Sequence, residues 1–497
     1  MNKVVGGAGV LAVVAGASMA MAAWSGPQVA TGLQERAAQW LRRFPNVQMV
    51  DQQVTTGLLN STHEITFQAG CVPQGGDAAG TASPEPLKLT WRDHIHHGPF
   101  PGGRSVGLAS IDSELVLPPQ AAAQVARLTG GQSLFHVNTL LGFGGGYVSV
   151  LSSPAFKFEE ADKGRMAWQG LNMVVRGSLK DGLAAGAAYT VEAPGLTLDV
   201  TQPDGPATSV KVGRFSMQGE VSPAADTSLW MAPGKGQAEL ASIEVVARKP
   251  GPDGALGQPV TVAFDGLRFS GESAIDKGLL SSSSQFSGKG RVNDFTIDKV
   301  EMQVALRRLH AATYQQMVAR HLDSLLSCDK PVDRTAHQKA EFDDLQKAAA
   351  VLFRHDPEYA LDKFAVELGG QRAELSYSLG TRGVTEADST LPMAQLLGTR
   401  GYAQAALNVQ AGWIEQFAKQ MAAASVPADR PDAAAARQTA QAQSIAFANA
   451  MIDSVVGQGF LLRDGDRIKA SAKFEAGELL LNGKPMPLPG GMSFGKP

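Results

Sequence analysis

Cysteine is almost missing from this chain: Cys71 and Cys328 are its two thiols in 497 residues. Two cannot build a disulfide-dense scaffold, and no C-x-x-C spacing is present to make a redox or thiolate-metal centre. The pair fits either one disulfide of an exported protein or two buried thiols, and both lie too far downstream to be a lipid-modified cysteine after a signal sequence. Charge of one sign is missing as well. There are 44 Lys and Arg against 47 Asp and Glu, with no basic block, which argues against nucleic acid as a partner. Aromatic residues make up only 6%, little material for stacking platforms. No H-E-x-x-H and no phosphate-binding loop occurs, so no motif calls for a cofactor.

The motif matches that do occur are poor in context. Gly103-Arg104-Ser105-Val106-Gly107 and Gly491-Met492-Ser493-Phe494-Gly495 fit G-x-S-x-G, but a nucleophile elbow needs a strand before the serine and a helix after it. Ser105 follows a Gly/Pro loop and Ser493 is almost at the C-terminus. Gly142 to Gly146 sits between two alternating runs and reads as a hairpin turn rather than a phosphate cradle. Glu159, Glu160 and Asp162 read as a solvated acidic loop.

A long apolar run occurs once, from Val4 to Trp24 after Lys3. It has the character of an export signal, with Ala20-Met21-Ala22 as a small-x-small cleavage site. Its 21 residues also approach the roughly 20 that span a bilayer, and Trp24 is placed as an interfacial anchor. An uncleaved signal anchor is favoured over a cleaved signal peptide, although Arg36, Arg42 and Arg43 just beyond the run weaken the charge asymmetry an anchor prefers. Either way the rest of the chain is expected outside the cytoplasm. Val29, Leu33, Ala37, Trp40 and Phe44 then recur at helical spacing, a juxtamembrane helix whose preferred reading is packing on the following domain and whose alternative is lying on the membrane or pairing with a second copy.

From about Val47 to Ala305 the apolar period becomes two, with Gly, Pro, Asp and Asn at the breaks. This predicts a meander of long antiparallel strands with one face packed and one wet. Pro118 to Gly131 interrupts it as a short helix. Helical spacing follows over Arg307–Leu326, Arg334–Phe353, Trp413–Ala424 and Ala433–Val456. Strands resume between these helices, at Phe364–Tyr377, Tyr402–Gln410 and a final stretch with turns at Asp464-Gly465 and Asn482-Gly483. The predicted fold is α+β and β-rich: a long antiparallel meander forming an extended twisted sheet, with helical insertions in the C-terminal half and an N-terminal signal or anchor helix. The regions are 1–24 signal anchor or signal peptide, 25–46 juxtamembrane helix, 47–306 β-rich, and 307–497 alternating helices and strands continuing the same sheet.

One stretch looks like chemistry: His94-Ile95-His96-His97-Gly98-Pro99-Phe100-Pro101 holds three of the nine histidines. Alternation puts His94 and His96 on one strand face and His97 on the other, and no acidic or thiol pattern elsewhere completes a metal site. The preferred reading is structural: the prolines and glycine end the strand, Phe100 fills a core position, and His97 ties the turn through a backbone hydrogen bond. His94 and His96 remain weak metal candidates, and a metal-dependent envelope hydrolase using His94, His96 and His97 is the competing functional reading.

His97-Gly98-Pro99-Phe100-Pro101, together with Leu481-Asn482-Gly483-Lys484 and Met486, resembles the bacterial YdgA-like family. The resemblance implies an inner-membrane-anchored protein with a periplasmic domain, of unknown function and with no catalytic residues to carry over. The family motif matches only His97 of the three histidines. The function expected is a non-enzymatic cell-envelope binding or scaffold protein without a cofactor, holding a lipid, another apolar ligand or an envelope partner on a β-sheet surface. A structural homo-oligomer is a further alternative, since Gly6, Gly7, Gly9 and Gly16 would let two spans approach.

Overall fold

In the computed structural model the described residues are 47–57, 60–69, 87–97, 100–103, 105–160, 164–180, 183–201, 207–222, 233–248, 257–326, 334–426 and 431–487. The expected anchor and juxtamembrane helix, Cys71, Cys328, Gly98 and Pro99 lie outside them. No helix among the described residues is long and apolar enough to cross a membrane.

The protein is β-rich, with one long antiparallel open sheet of 24 strands and six helices among the described residues. The first strands are β1 (Val47–Thr56), β2 (Asn60–Ala69), β3 (Leu87–His97), β4 (Ala109–Val116), β5 (His136–Leu141) and β6 (Gly146–Ser153). Then come β7 (Phe156–Glu160), β8 (Gly164–Trp168), β9 (Leu171–Lys180), β10 (Leu183–Ala193), β11 (Leu196–Thr201), β12 (Ala207–Val212) and β13 (Phe215–Val221). The longest follow, β14 (Gly234–Arg248), β15 (Val260–Asp276), β16 (Leu279–Val292) and β17 (Phe295–His310). The series ends with β18 (Glu358–Leu368), β19 (Gln371–Thr381), β20 (Gly401–Gln410), β21 (Leu462–Asp464), β22 (Arg467–Glu475), β23 (Glu478–Leu481) and β24 (Lys484–Met486).

Pairs β6/β7, β8/β9, β10/β11 and β12/β13 are each two halves of one bent strand. β6 pairs β9 while β7 pairs β8, and β14 receives β13 along its first half and β12 along its second. A crease of Pro154, Gly170, Pro194-Gly195 and Gly213 causes the split. Proline has no N–H for the ladder, Gly170 takes φ 98°, and Gly213 N bonds instead to Ser242 O at 2.8 Å. With the halves joined, the sheet is an up-and-down meander. The helices Ala311–Leu326 and Arg334–Phe353 leave it after β17, yet β17 pairs directly with β18. Helices Ala411–Ser425 and Ala433–Gly457 leave it after β20, yet β20 pairs with β22.

Cross-strand partners share a face, so the register draws ribs across the sheet. One rib begins with His63, Asp93 and Ser113, then runs apolar through Val137, Leu151, Met173, Val191, Met217, Ala238, Phe269, Phe286, Met302, Phe364, Leu375 and Leu407. This is the packed face: Trp91, Phe67, Leu141 and Val137 on it are fully buried. Aromatic rings on the same sheet lie over cross-strand glycines, Tyr147 on Gly177, Tyr189 on Gly219, Phe264 on Gly290 and Tyr402 on Gly380. A methyl at Gly219 would stand 2.6 Å from Tyr189 Oη, so the abundant glycine makes room for rings in these strands. Helix Ala411–Ser425 covers β17 to β20, where Phe417 meets Phe295 edge-on at 5.9 Å and stacks on Trp413 at 5.5 Å.

Candidate functional site

The histidine segment occupies the end of β3, and its side chains part company as alternation requires. His94 and His96 lie on the wet face. His96 Nδ1 donates to Asn60 Oδ1 at 2.8 Å, and its Nε2 lies 3.7 Å from Asp112, which has His136 3.6 Å away on its other side. His97 turns inward to share a 2.7 Å hydrogen bond with Ser61 Oγ. Burial first, and then neighbouring His96, push the His97 imidazole below its ordinary value near 6.5, so it is neutral at pH 7.

Beside it, buried Asp93 accepts from His63 Nδ1 and Trp91 Nε1, both at 2.9 Å, and the Gln52 amide nitrogen is 2.9 Å from His63 Nε2. Asp93 therefore serves a different imidazole from the one Ser61 meets, and the groups do not form a serine–histidine–aspartate relay. Among the described residues no group of three or more His, Cys, Asp and Glu is arranged to hold a metal ion.

Two expectations for the motif are corrected. Phe100 is 68% exposed rather than buried, and Pro101 is the residue sealed inside. The reason is the tight turn at Pro101–Gly103, where Gly102 and Gly103 adopt φ 60° and 69°. The partner of His97 is the Ser61 hydroxyl rather than a backbone group. Ser105 Oγ donates to Pro101 O at 3.4 Å, a loop contact.

Two concavities lie elsewhere, across β10 and β13 to β17. Two adjoining grooves of about 580 and 590 Å³ share Thr190, Gln218, Gln237, Ser270 and Gln285. These five, with Gln303, form one rib of the wet face, and the same rib leads back through Val174, Val150, Asn138 and Asp112 to His94. Each groove runs between this rib and the next on the same face. One outer wall carries Glu192, Ser216, Glu239, Arg268, Ser287 and Glu301, and the other Glu220, Lys235, Glu272 and Ser283.

The wall cations are each matched by a carboxylate: Arg214 with Glu192 at 3.4 Å, Arg268 with Glu239 at 3.5 Å, Lys235 with Glu220 at 3.0 Å, while Glu272 accepts from Ser283 Oγ at 3.4 Å. At one end Glu301 accepts from Lys363, Lys299 and Arg372 at 2.9, 2.9 and 3.0 Å. Lys363 foremost, then Lys299 and Arg372, hold its carboxyl down at about 2. The amides of Gln218, Gln237, Gln285 and Gln303 have no hydrogen-bond partner among the described residues. Sequence reasoning missed this site. Its signal was a glutamine at a polar position in each of SMQGE, GKGQA, SSQFS and EMQVA, but only register lines them up.

On the opposite face the apolar rib outruns its cover. The main helix–sheet contacts fall on β7, β17 to β20 and β22. Over β15 and β16 Val260, Phe264, Phe269 and Val292 remain 49, 40, 50 and 42% exposed, with Phe269 against Phe286 at 4.8 Å.

An open, two-faced antiparallel sheet with helical excursions, apolar on one side and grooved and polar on the other, defines the class of this molecule. The chain belongs to DUF945, a family of bacterial proteins of unknown function whose model matches residues 1–489. No curated protein and no solved structure matches the chain.

Proposed function

We propose that this is a non-enzymatic binding or scaffold protein of the bacterial cell envelope, tethered to the inner membrane by residues 1–24 with the remainder in the periplasm. Its sheet holds a lipid or the apolar segment of an envelope partner. The observation that carries the reading is the apolar stripe of Val260, Phe264, Phe269 and Val292, which continues the packed rib beyond the helices. A face of that kind is covered, closed, or offered to a ligand. The tether rests on the Val4–Trp24 run; cleavage after Ala22 would leave the same domain free in the periplasm.

The test is native mass spectrometry of the full chain purified in mild detergent, with extraction and identification of bound lipid. A stoichiometric acyl-chain ligand that disappears in the Phe264→Glu/Phe269→Glu variant is the expected result. An empty wild-type protein, or equal retention by the variant, overturns the apolar reading. A reporter enzyme active only outside the cytoplasm, fused after Pro497, checks the side of the membrane.

A further inference from the structure

We propose that the polar face bears a second site, separate from the apolar one, which binds a neutral, extended, β-linked glycan laid across strands β10 and β13 to β17. The centre of this site is the ridge between the two grooves, the rib on which Gln218, Gln237 and Gln285 stand. A primary amide offers two donors and an acceptor, and these three are without partners among the described residues. They form a row of hydrogen-bonding groups, with Thr190 and Ser270 completing it, at the centre of the two grooves.

Charge selects the ligand class. The cations of the walls already face anions, Arg268 with Glu239 and Lys235 with Glu220. A phosphorylated or carboxylated polymer therefore finds no uncompensated cation here, and an uncharged one loses no strong field by displacing water.

Spacing selects the polymer. Neighbouring strands lie about 4.8 Å apart, whereas an extended peptide repeats its side chains on one side only every 6.8 Å or so. The sugar rings of a β-1,4-linked glycan follow one another at close to the strand interval, so each ring meets a new polar side chain of the row, an amide on β13, β14 and β16 and a hydroxyl on β10 and β15. A peptide would also seek the hydrogen-bonding edge of a sheet rather than cross its face. No aromatic residue stands on these three ribs, so the amides themselves supply the contacts.

The experiment titrates the full chain in detergent with chitohexaose, cellohexaose and the α-linked maltohexaose by calorimetry. Saturable binding of at least one β-linked hexamer is expected. The Gln237→Ala/Gln285→Ala variant should weaken it at least tenfold with an unchanged thermal midpoint, and maltohexaose should bind weakly or not at all. Phe264→Glu, which lines neither groove, should leave it intact. Failure of both β-linked hexamers to bind at millimolar concentration overturns the proposal, as does binding indifferent to the glutamines or to linkage. Either failure leaves the acyl-ligand result on the other face standing, so the two readings fall separately.

Discussion

Replacing Glu301 by glutamine keeps the shape of the side chain and removes the charge that Lys363, Lys299 and Arg372 share. The carboxyl falls from 4.5 to about 2 in the folded protein. A displacement of about 2.5 pH units corresponds to an upper bound of roughly 3.4 kcal/mol at 1.36 kcal/mol per unit. Glu301 is 21% exposed, but its partners are 26 to 45% exposed, and water screens such pairs, which brings the expected contribution to about 1–2 kcal/mol.

The sign follows from the depressed value. The stabilisation is fully present above the unfolded carboxyl's 4.5 and drains away as pH falls towards 2. Amide hydrogen exchange across the β17–β18 ladder, from Lys299↔Glu367 to Gln303↔Lys363, reads this locally. At pH 7 the E301Q protein should exchange about 5- to 30-fold faster there. The gap should narrow to a minor fraction near pH 2. Equal protection at pH 7, or a gap that persists undiminished near pH 2, would refute the account.

Three further outcomes are expected. Gly219→Ala sets a methyl 2.6 Å from Tyr189 Oη and 2.7 Å from the Lys235 carbonyl, and should cost about 1–3 kcal/mol of stability. Tyr189→Phe added to it recovers only part of the lost thermal midpoint, because the carbonyl clash remains. Asp93→Ala strands the buried N–H groups of Trp91 and His63 and should cost about 2–4 kcal/mol in denaturant unfolding. A near-neutral result would mean that water replaces the carboxylate there. Burial, and then the His355 ring stacked at 4.8 Å, hold the His310 imidazole below its ordinary value near 6.5. A histidine kept neutral in the fold loses stability as pH drops below that value. Exchange in the helices Ala311–Leu326 and Arg334–Phe353, corrected for its intrinsic pH dependence, should therefore accelerate from pH 7 to pH 5, and His310→Gln should remove the acceleration.

Much of the fold is legible as local pattern. The helix over Arg334–Phe353 has the expected limits, and the Asn482-Gly483 turn takes the positive φ of 50° and 77° that its residue types permit. Where strand and helix compete at a boundary the pattern is weaker. The helix expected from Arg307 begins at Ala311, because β17 continues to His310 to keep its partners in β16. The short helix Met393–Arg400 carries too little periodicity to stand out. The crease at Pro154, Gly170 and Gly213 reads in sequence as separate turns, and only the pairing of β7 with β8 and β6 with β9 shows each pair as one bent strand.

The candidate sites divide in the same way. Opposite faces for His96 and His97 follow from a two-residue period alone. That His96 finds Asp112 while His97 finds Ser61 depends on which strands lie alongside β3 and in what register.

The sequence by itself determined the period of each segment, the places where the backbone can turn, the near-neutral charge and the single long apolar run near the N-terminus, since all of these are properties of neighbours along the chain. The tertiary structure decided the register. Gln218, Gln237 and Gln285 stand roughly twenty and then fifty positions apart along the sequence and fall into one row only when β13, β14, β15 and β16 pair. A slip of one residue in any pairing would turn its glutamine to the packed face. The apolar stripe on β15 and β16 was likewise decided in three dimensions, because the helix Ala411–Ser425 makes its main sheet contacts on β17 to β20 and leaves that stripe exposed.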